Sequence, residues 1–162
     1  MNRENIDMAY AAGIMDGDGS FCIGKLKTKA NPLYYPVLQC TSWRKEFIDF
    51  LHSKFGGTIV VTKGIVKKDG SIGHSIYRWK LRSLDNVKPV LERITPFLKI
   101  KQDRANVLLE FINEMPFVRG QRLSNESLVA RERYYLKMIN FNDWRHLDNN
   151  ISTKLAKVNS ND

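Results

Sequence analysis

The sequence predicts an α+β domain whose elements run α-β-β-α-β-β-α, with further helices at the C-terminal end. Three observations carry this. Ile76 to Arg82, IYRWKLR, alternates apolar and cationic residues with period two, the mark of a strand with one buried face. Lys45 to Phe55 places Phe47, Ile48, Phe50, Leu51 and Phe55 at helical spacing and closes on Gly56-Gly57. The 162 residues, 43% hydrophobic, suit one compact core, and no linker, low-complexity tract or repeat divides them, so residues 1–162 read as a single domain.

The first helix spans Ile6 to Met15, apolar or small throughout, with Asn5 or Asp7 as its cap and Gly17-Asp18-Gly19 as its stop. Ser20 to Thr28 is the first strand, with Phe21 and Ile23 on one face. Lys25 and Lys27 then occupy positions the alternation assigns to the inside. A bulge at Gly24 is therefore expected, restoring Leu26 to the core and turning both lysines outward. A loop at Asn31-Pro32 leads to the second strand, Tyr34 to Ser42. Thr58 to Val66 is the third, and Asp69-Gly70 turns the chain into the fourth. Helices follow at Leu84 to Ile94, Lys101 to Glu114 and Glu126 to Asn140. The polar tail, about 149–162, reads as loosely ordered.

Charge narrows the function. The chain carries +9, and a basic domain most often meets a polyanion. No apolar run reaches the roughly 18 residues that span a bilayer, so no membrane role is expected. The N-terminus lacks signal-peptide order, and no targeting signal is read. Cys22 and Cys40 fall in strands and read as reduced core thiols. With only His52, His74 and His146 and no paired Cys/His spacing, metal chemistry here would use oxygen ligands.

Within the fourth strand Tyr77, Trp79 and Leu81 share the inner face, while Arg78, Lys80 and Arg82 share the outer. Like charges at alternate positions repel, which argues for an anionic partner. Lys25, Lys27, Lys63, Lys67 and Lys68 extend the cationic surface, and a two-stranded ribbon fits the DNA major groove. Tyr35 and Gln39, outward on the second strand, are placed to read base edges while the cations grip phosphates. Trp43 and Trp144 read as packing residues, and His52 and His146 as structural. Arg131, Arg133 and Lys137 read as the solvated side of a C-terminal helix, and Arg145 as a surface residue.

The first helix has two unusual features. Ala9, Ala12 and Gly13 leave one face almost without side chains, which suits either close approach by another helix or an ordinary core helix with small residues facing a sheet. Asp16 and Asp18 sit at its C-terminus, where acids oppose the macrodipole by a few tenths to about 1 kcal/mol. A surface turn rich in Asp and Gly would explain that placement without function, and a hard-cation site explains it better, since Mg²⁺ takes carboxylate and carbonyl oxygens, Gly17's among them, and shares phosphate ligands.

Ala11 to Gly19, AAGIMDGDG, resembles the nine-residue signature of the LAGLIDADG homing endonucleases. It departs at Ala11 and by apolar swaps at Ile14 and Met15, and keeps Gly13, Asp16, Asp18 and Gly19. Pro96 to Ile112, PFLKIKQDRANVLLEFI, is also similar to the family, so the likeness covers roughly residues 6–115. The resemblance implies the saddle fold with a four-stranded antiparallel sheet. It implies a single-motif homodimer whose signature helices meet through Ala9, Ala12 and Gly13, with Asp16 serving the helix end and interface. It makes Asp18 the metal-binding catalytic carboxylate, with the Gly17 carbonyl as a further ligand of Mg²⁺ or Mn²⁺. Lys101 matches a basic residue near the active site, and Ser42 with Arg44 (or Lys45) falls where a polar and a cationic group are expected. The activity implied is double-strand DNA cleavage at a long, partly palindromic site, leaving 3′ overhangs, in intron homing. The alternatives are a maturase binding intron RNA and a DNA-binding protein without catalysis. The place of action implied is the compartment of the encoding intron, an organelle or a bacterial or phage-infected cytoplasm.

Overall fold

The computed structural model describes residues 2–29, 31–66, 70–115 and 123–141. The elements are α1 (Arg3–Gly17), β1 (Gly19–Leu26), β2 (Leu33–Ser42), α2 (Lys45–Phe55), β3 (Thr58–Thr62), β4 (Ile76–Arg82), α3 (Leu84–Ile94), α4 (Gln102–Glu114) and α5 (Asn125–Asn140), with a 3₁₀ turn at Thr95–Phe97. The strands form one antiparallel sheet in the order β1-β2-β4-β3. This is the α+β order the sequence predicts. Lys67 and Lys68 lie outside the described residues, as do Trp144, Arg145, His146 and the tail 149–162.

Strand register sorts the sheet into two faces. Phe21 and Ile23 of β1, Leu38 and Cys40 of β2, and Trp79 and Leu81 of β4 are buried on one side, against Ile48 and Leu51 of α2 and Val87, Leu91 and Ile94 of α3. Each fully buried large apolar side chain contributes roughly 1.5–3 kcal/mol. The Trp79 indole N–H donates to the Gly56 carbonyl at 2.7 Å, so its polar atom is satisfied at the end of α2. Gly56 and Gly57 adopt φ of +67° and +91° there, which glycine tolerates without strain. The opposite face carries no helix among the described residues and presents Tyr35, Gln39, Arg78, Lys80 and Arg82.

Several expectations are corrected. The α1 cap is Asn2, whose Oδ1 accepts from Asn5 N at 2.9 Å, so the helix starts three residues earlier than read. No bulge forms at Gly24, where β1 and β2 pair without interruption from Gly19 to Leu26. Lys25 therefore stays on the helix-facing side, and Leu26 is exposed. A lysine is accommodated there because Glu132 of α5 neutralises it at 2.6 Å and also accepts from the Tyr34 hydroxyl. β3 stops at Thr62, not Val66. Arg131 is buried, bonding the Met115 carbonyl at 3.3 Å, so it is not part of the solvated side of α5. Trp43 is exposed and does not pack into the core.

Candidate active site and nucleic-acid interface

The site begins at the end of α1. Asp18 terminates the helix, its N–H donating to the Ile14 carbonyl at 2.9 Å, and its own carbonyl accepts from Thr41 N at 3.4 Å. Gly19 follows because strand and helix nearly touch. A Cβ at residue 19 would lie 2.6 Å from both the Cα and the carbonyl oxygen of Met15. These constraints fix residue 18 at the end of the sheet. Its carboxylate is exposed and accepts no hydrogen bond from any described residue.

Asp16 behaves differently. Its Oδ2 accepts Lys99 N at 2.7 Å, and its Oδ1 accepts Ile100 N at 3.3 Å and Lys101 N at 2.9 Å. Both oxygens are thus engaged within the chain, so Asp16 at the helix end also anchors the segment leading into α4. That anchor aims Lys101 back at the helix. Its Nζ donates to the carbonyls of Met15 at 3.1 Å, Gly17 at 3.1 Å and Gly19 at 2.8 Å. An ammonium has three hydrogens, so all are placed. Lys101 acts on the site as a fixed charge opposing the negative helix end, not as a donor free to bind water. Burial pushes its pKa below the usual lysine value and the Arg104 charge adds to this, while Asp16, Cys40 and Asp18 oppose it.

The other expected residues are spread around this corner. Ser42 is buried on the helix-facing side, where its Oγ accepts Arg44 N at 3.3 Å, so it shapes the β2–α2 corner and does not reach the open face. Thr41, beside it, is the residue on that face, and its Oγ1 accepts from Arg78 Nε at 3.3 Å. Arg44 is exposed, its guanidinium 4.9 Å from the Trp43 ring and 5.8 Å from that of Phe47. Phe47 in turn lines a groove with Asp18, Gly17, Gly13 and Ala9.

That groove is the small face of α1, with one correction. Ala12 is completely buried in the chain's own core and cannot meet a partner. The outward stripe is Ile6, Ala9, Tyr10, Gly13 and Gly17, with Ile6 and Tyr10 about half exposed. A Cβ on Gly13 or Gly17 would meet nothing within 4 Å. Tyr10 is held edge-on to Phe50, centroids 4.8 Å apart.

On the open face Arg82 lies over the Tyr35 ring at 5.8 Å, and Tyr35 in turn covers Gly24, where a Cβ would fall 2.5 Å from the ring. Gln39 sits in register between Ser20 and Lys80. Burial lowers the Lys80 pKa first, and the neighbouring Arg82 and Arg78 charges add to this, while Cys22 opposes it. Lys27 and Lys63 are exposed just beyond β1 and β3. Lys25 is not on this face.

Among the described residues there is no cluster of three or more His, Cys, Asp or Glu that would hold a metal alone. Asp18 and the Gly17 carbonyl offer a partial hard-oxygen set. It fits a Mg²⁺-type ion, which takes one or two carboxylates and completes its shell with water and phosphate. Sequence reasoning missed Asp16 as an anchor and Arg104 as a tuning charge. Asp16's unfavourable place at a helix C-terminus was the available signal; for Arg104 there was none.

The described residues thus build an antiparallel sheet with one helix-packed and one cationic face, ending at an exposed carboxylate on a small-faced helix, an α+β saddle. No family profile matches the sequence. The curated DNA endonuclease I-CreI of Chlamydomonas reinhardtii is 33% identical over 119 residues, 67% of this chain. The chain spans 64% of that relative's length. The homing endonuclease I-CvuI, solved with the I-CreI target and Mg, superposes with a TM-score of 0.69 at 15% identity, covering 96% of this chain and 93% of that one. The archaeal intron-encoded homing endonuclease I-Vdi141I, solved with DNA, gives 0.69 at 13% identity, covering 97% of each. The chain belongs to the LAGLIDADG homing endonuclease family.

Proposed function

We propose that the chain is a site-specific double-strand DNA endonuclease that works as a homodimer on a long, partly palindromic site. The observation that carries this reading is Asp18, an exposed carboxylate fixed at the end of the same sheet whose open face carries Arg78, Lys80 and Arg82. A duplex laid along that face would have its phosphates neutralised by these side chains with Lys27 and Lys63, while Tyr35 and Gln39 meet base edges in the major groove. Its backbone would then pass Asp18.

The stripe Ile6, Tyr10, Gly13 and Gly17 supports pairing of two copies about the α1 helices, because small residues let two backbones approach while Ile6 and Tyr10 become buried. Each copy would bring one Asp18 to one strand, and the pair would carry +18 toward the duplex. A divalent cation, Mg²⁺ or Mn²⁺, held by Asp18 and the Gly17 carbonyl would supply Lewis acidity and a water ionisable near neutral pH. The chain's own contribution is positional. Asp16 holds residues 99–101, Lys101 holds the three carbonyls around residue 17, and Gly19 lets the strand leave the helix without displacing Asp18. Cleavage on this plan leaves 3′ overhangs, as intron homing uses.

Duplex binding measured over a KCl series, with light scattering of the free protein, tests the arrangement. The expected results are a dimer mass and a log-log salt slope of about −0.9 per phosphate contacted. A monomer, or binding indifferent to salt, contradicts it.

A further inference from the structure

The connection between β3 and β4 holds surface chemistry that the hydrolytic corner does not use. Beyond Thr62 the strands continue as an arm. The Ile65 carbonyl accepts from Gly73 N at 3.0 Å, and Val66 pairs with Ile72 in an antiparallel bridge. Gly64 lies so close to Gly73 that a Cβ there would come within 1.6 Å of the Gly73 carbonyl oxygen, so the neck is backbone against backbone. At the base, His74 stacks on Trp43 with centroids 5.5 Å apart, which ties the arm to the β2–α2 corner.

Among its described residues the arm exposes aliphatic side chains. Ile65 is 80% exposed, Ile72 74% and Val66 65%. Val60 and Ile76 carry the apolar surface onto the open face of the sheet, where register sets Val60 beside Arg78 and Thr62 beside Ile76. A contiguous patch of this kind marks an interaction site. Charge selects the occupant. Exposed Lys63 and Arg78 flank the patch, and local cations of this kind favour a polyanion over another cationic surface. Position selects the place: Gly19 pairs with Cys40, Ser42 with Tyr77 and Ile76 with Thr62, so the arm leaves the sheet at the end where Asp18 sits.

We propose that this arm reads thymine C5-methyl groups by apolar contact in the major groove at the inner end of each half-site. Thymine alone presents a methyl there, and aliphatic side chains recognise it without hydrogen bonds. The inference rests on the DNA-binding reading above and adds base-specific apolar readout, by Ile65, Val66, Ile72, Val60 and Ile76, to the polar readout by Tyr35 and Gln39.

The test selects bound duplexes from a near-symmetric randomised pool, then resynthesises the preferred duplex with deoxyuridine for thymine at the inner positions. Expected are thymines enriched there and a loss of about fourfold in affinity per methyl removed. The exposed-site variants Val66→Ser and Ile72→Ser, their folding checked by circular dichroism, should bind the thymine and uracil duplexes alike. Equal binding of both duplexes by the wild type, with salt-dependent binding intact, overturns this proposal and leaves the endonuclease reading standing. Variants that lose the dimer mass without changing the thymine-to-uracil ratio overturn it in favour of a protein contact. No duplex binding at all overturns both readings together.

Discussion

Asp16→Asn separates anchoring from chemistry at the candidate site. The carboxylate accepts three backbone N–H groups, one on Oδ2 and two on Oδ1. Asparagine keeps one acceptor oxygen and turns an NH₂ against a donor, so it loses either the 2.7 Å bond to Lys99 or the other two. A hydrogen bond to a charged group contributes roughly 1.5–3 kcal/mol. Removing an acid from a helix C-terminus returns roughly 0.3–1 kcal/mol. Lost acceptance outweighs the relieved dipole, leaving a net destabilisation of about 1–2 kcal/mol, or about 2–8 °C in Tm for a chain of this size. The effect should reach the site, because Lys101 N is one of the three donors and Lys101 Nζ holds the carbonyl of Gly17. Urea unfolding should show a lower midpoint with unchanged slope, and DNA cleavage should show a lower kcat with KM for duplex nearly unchanged. Wild-type unfolding together with wild-type kcat would refute the anchoring argument.

Three further outcomes follow from the packing. Gly13→Leu projects into open space in the isolated chain, so circular dichroism should be unchanged while light scattering shifts from dimer to monomer. Gly19→Ala sets a Cβ 2.6 Å from Met15 backbone atoms and should lower the urea stability by about 1–3 kcal/mol, as overpacking does. Burial first, and then the Asp18 charge, push the Cys40 thiol from its ordinary 9.0 up to about 12. The unfolded chain loses that proton near pH 9 while the folded chain keeps it, so the unfolded state binds fewer protons. Stability should then fall as pH rises from about 9 toward 12, and Cys40→Ala should flatten this part of the profile.

Much of the fold was legible because its signals are local. The α2, α3 and β4 boundaries follow from side-chain period and the Gly56-Gly57 stop, and the structure returns the same residues. What escaped depends on partners distant in the chain. Lys25 breaks the β1 alternation because Glu132, 107 residues later, neutralises it, and a bulge was the nearest local explanation. Ala12 and Gly13 are indistinguishable as small residues, and only tertiary packing sends one inward and leaves the other bare. Val66 was merged into β3 because Ile65 and Val66 resume the β-branched pattern after Lys63-Gly64, whereas the close approach of Gly64 to Gly73 makes that stretch a separate arm. At the candidate site, Asp18 and Lys101 were singled out through the signature resemblance. The bonds from Asp16 to residues 99–101, which bring Lys101 to the helix end, cross more than 80 residues and leave no local pattern.

Cleavage by Asp18→Asn, set beside its duplex binding, tests the central claim most directly. With Mg²⁺ and a duplex selected by the wild-type protein, the wild type should cut both strands, while the variant should bind with similar affinity and leave the duplex whole. Cutting by the variant at the wild-type rate would contradict the assignment of this carboxylate as the hydrolytic centre.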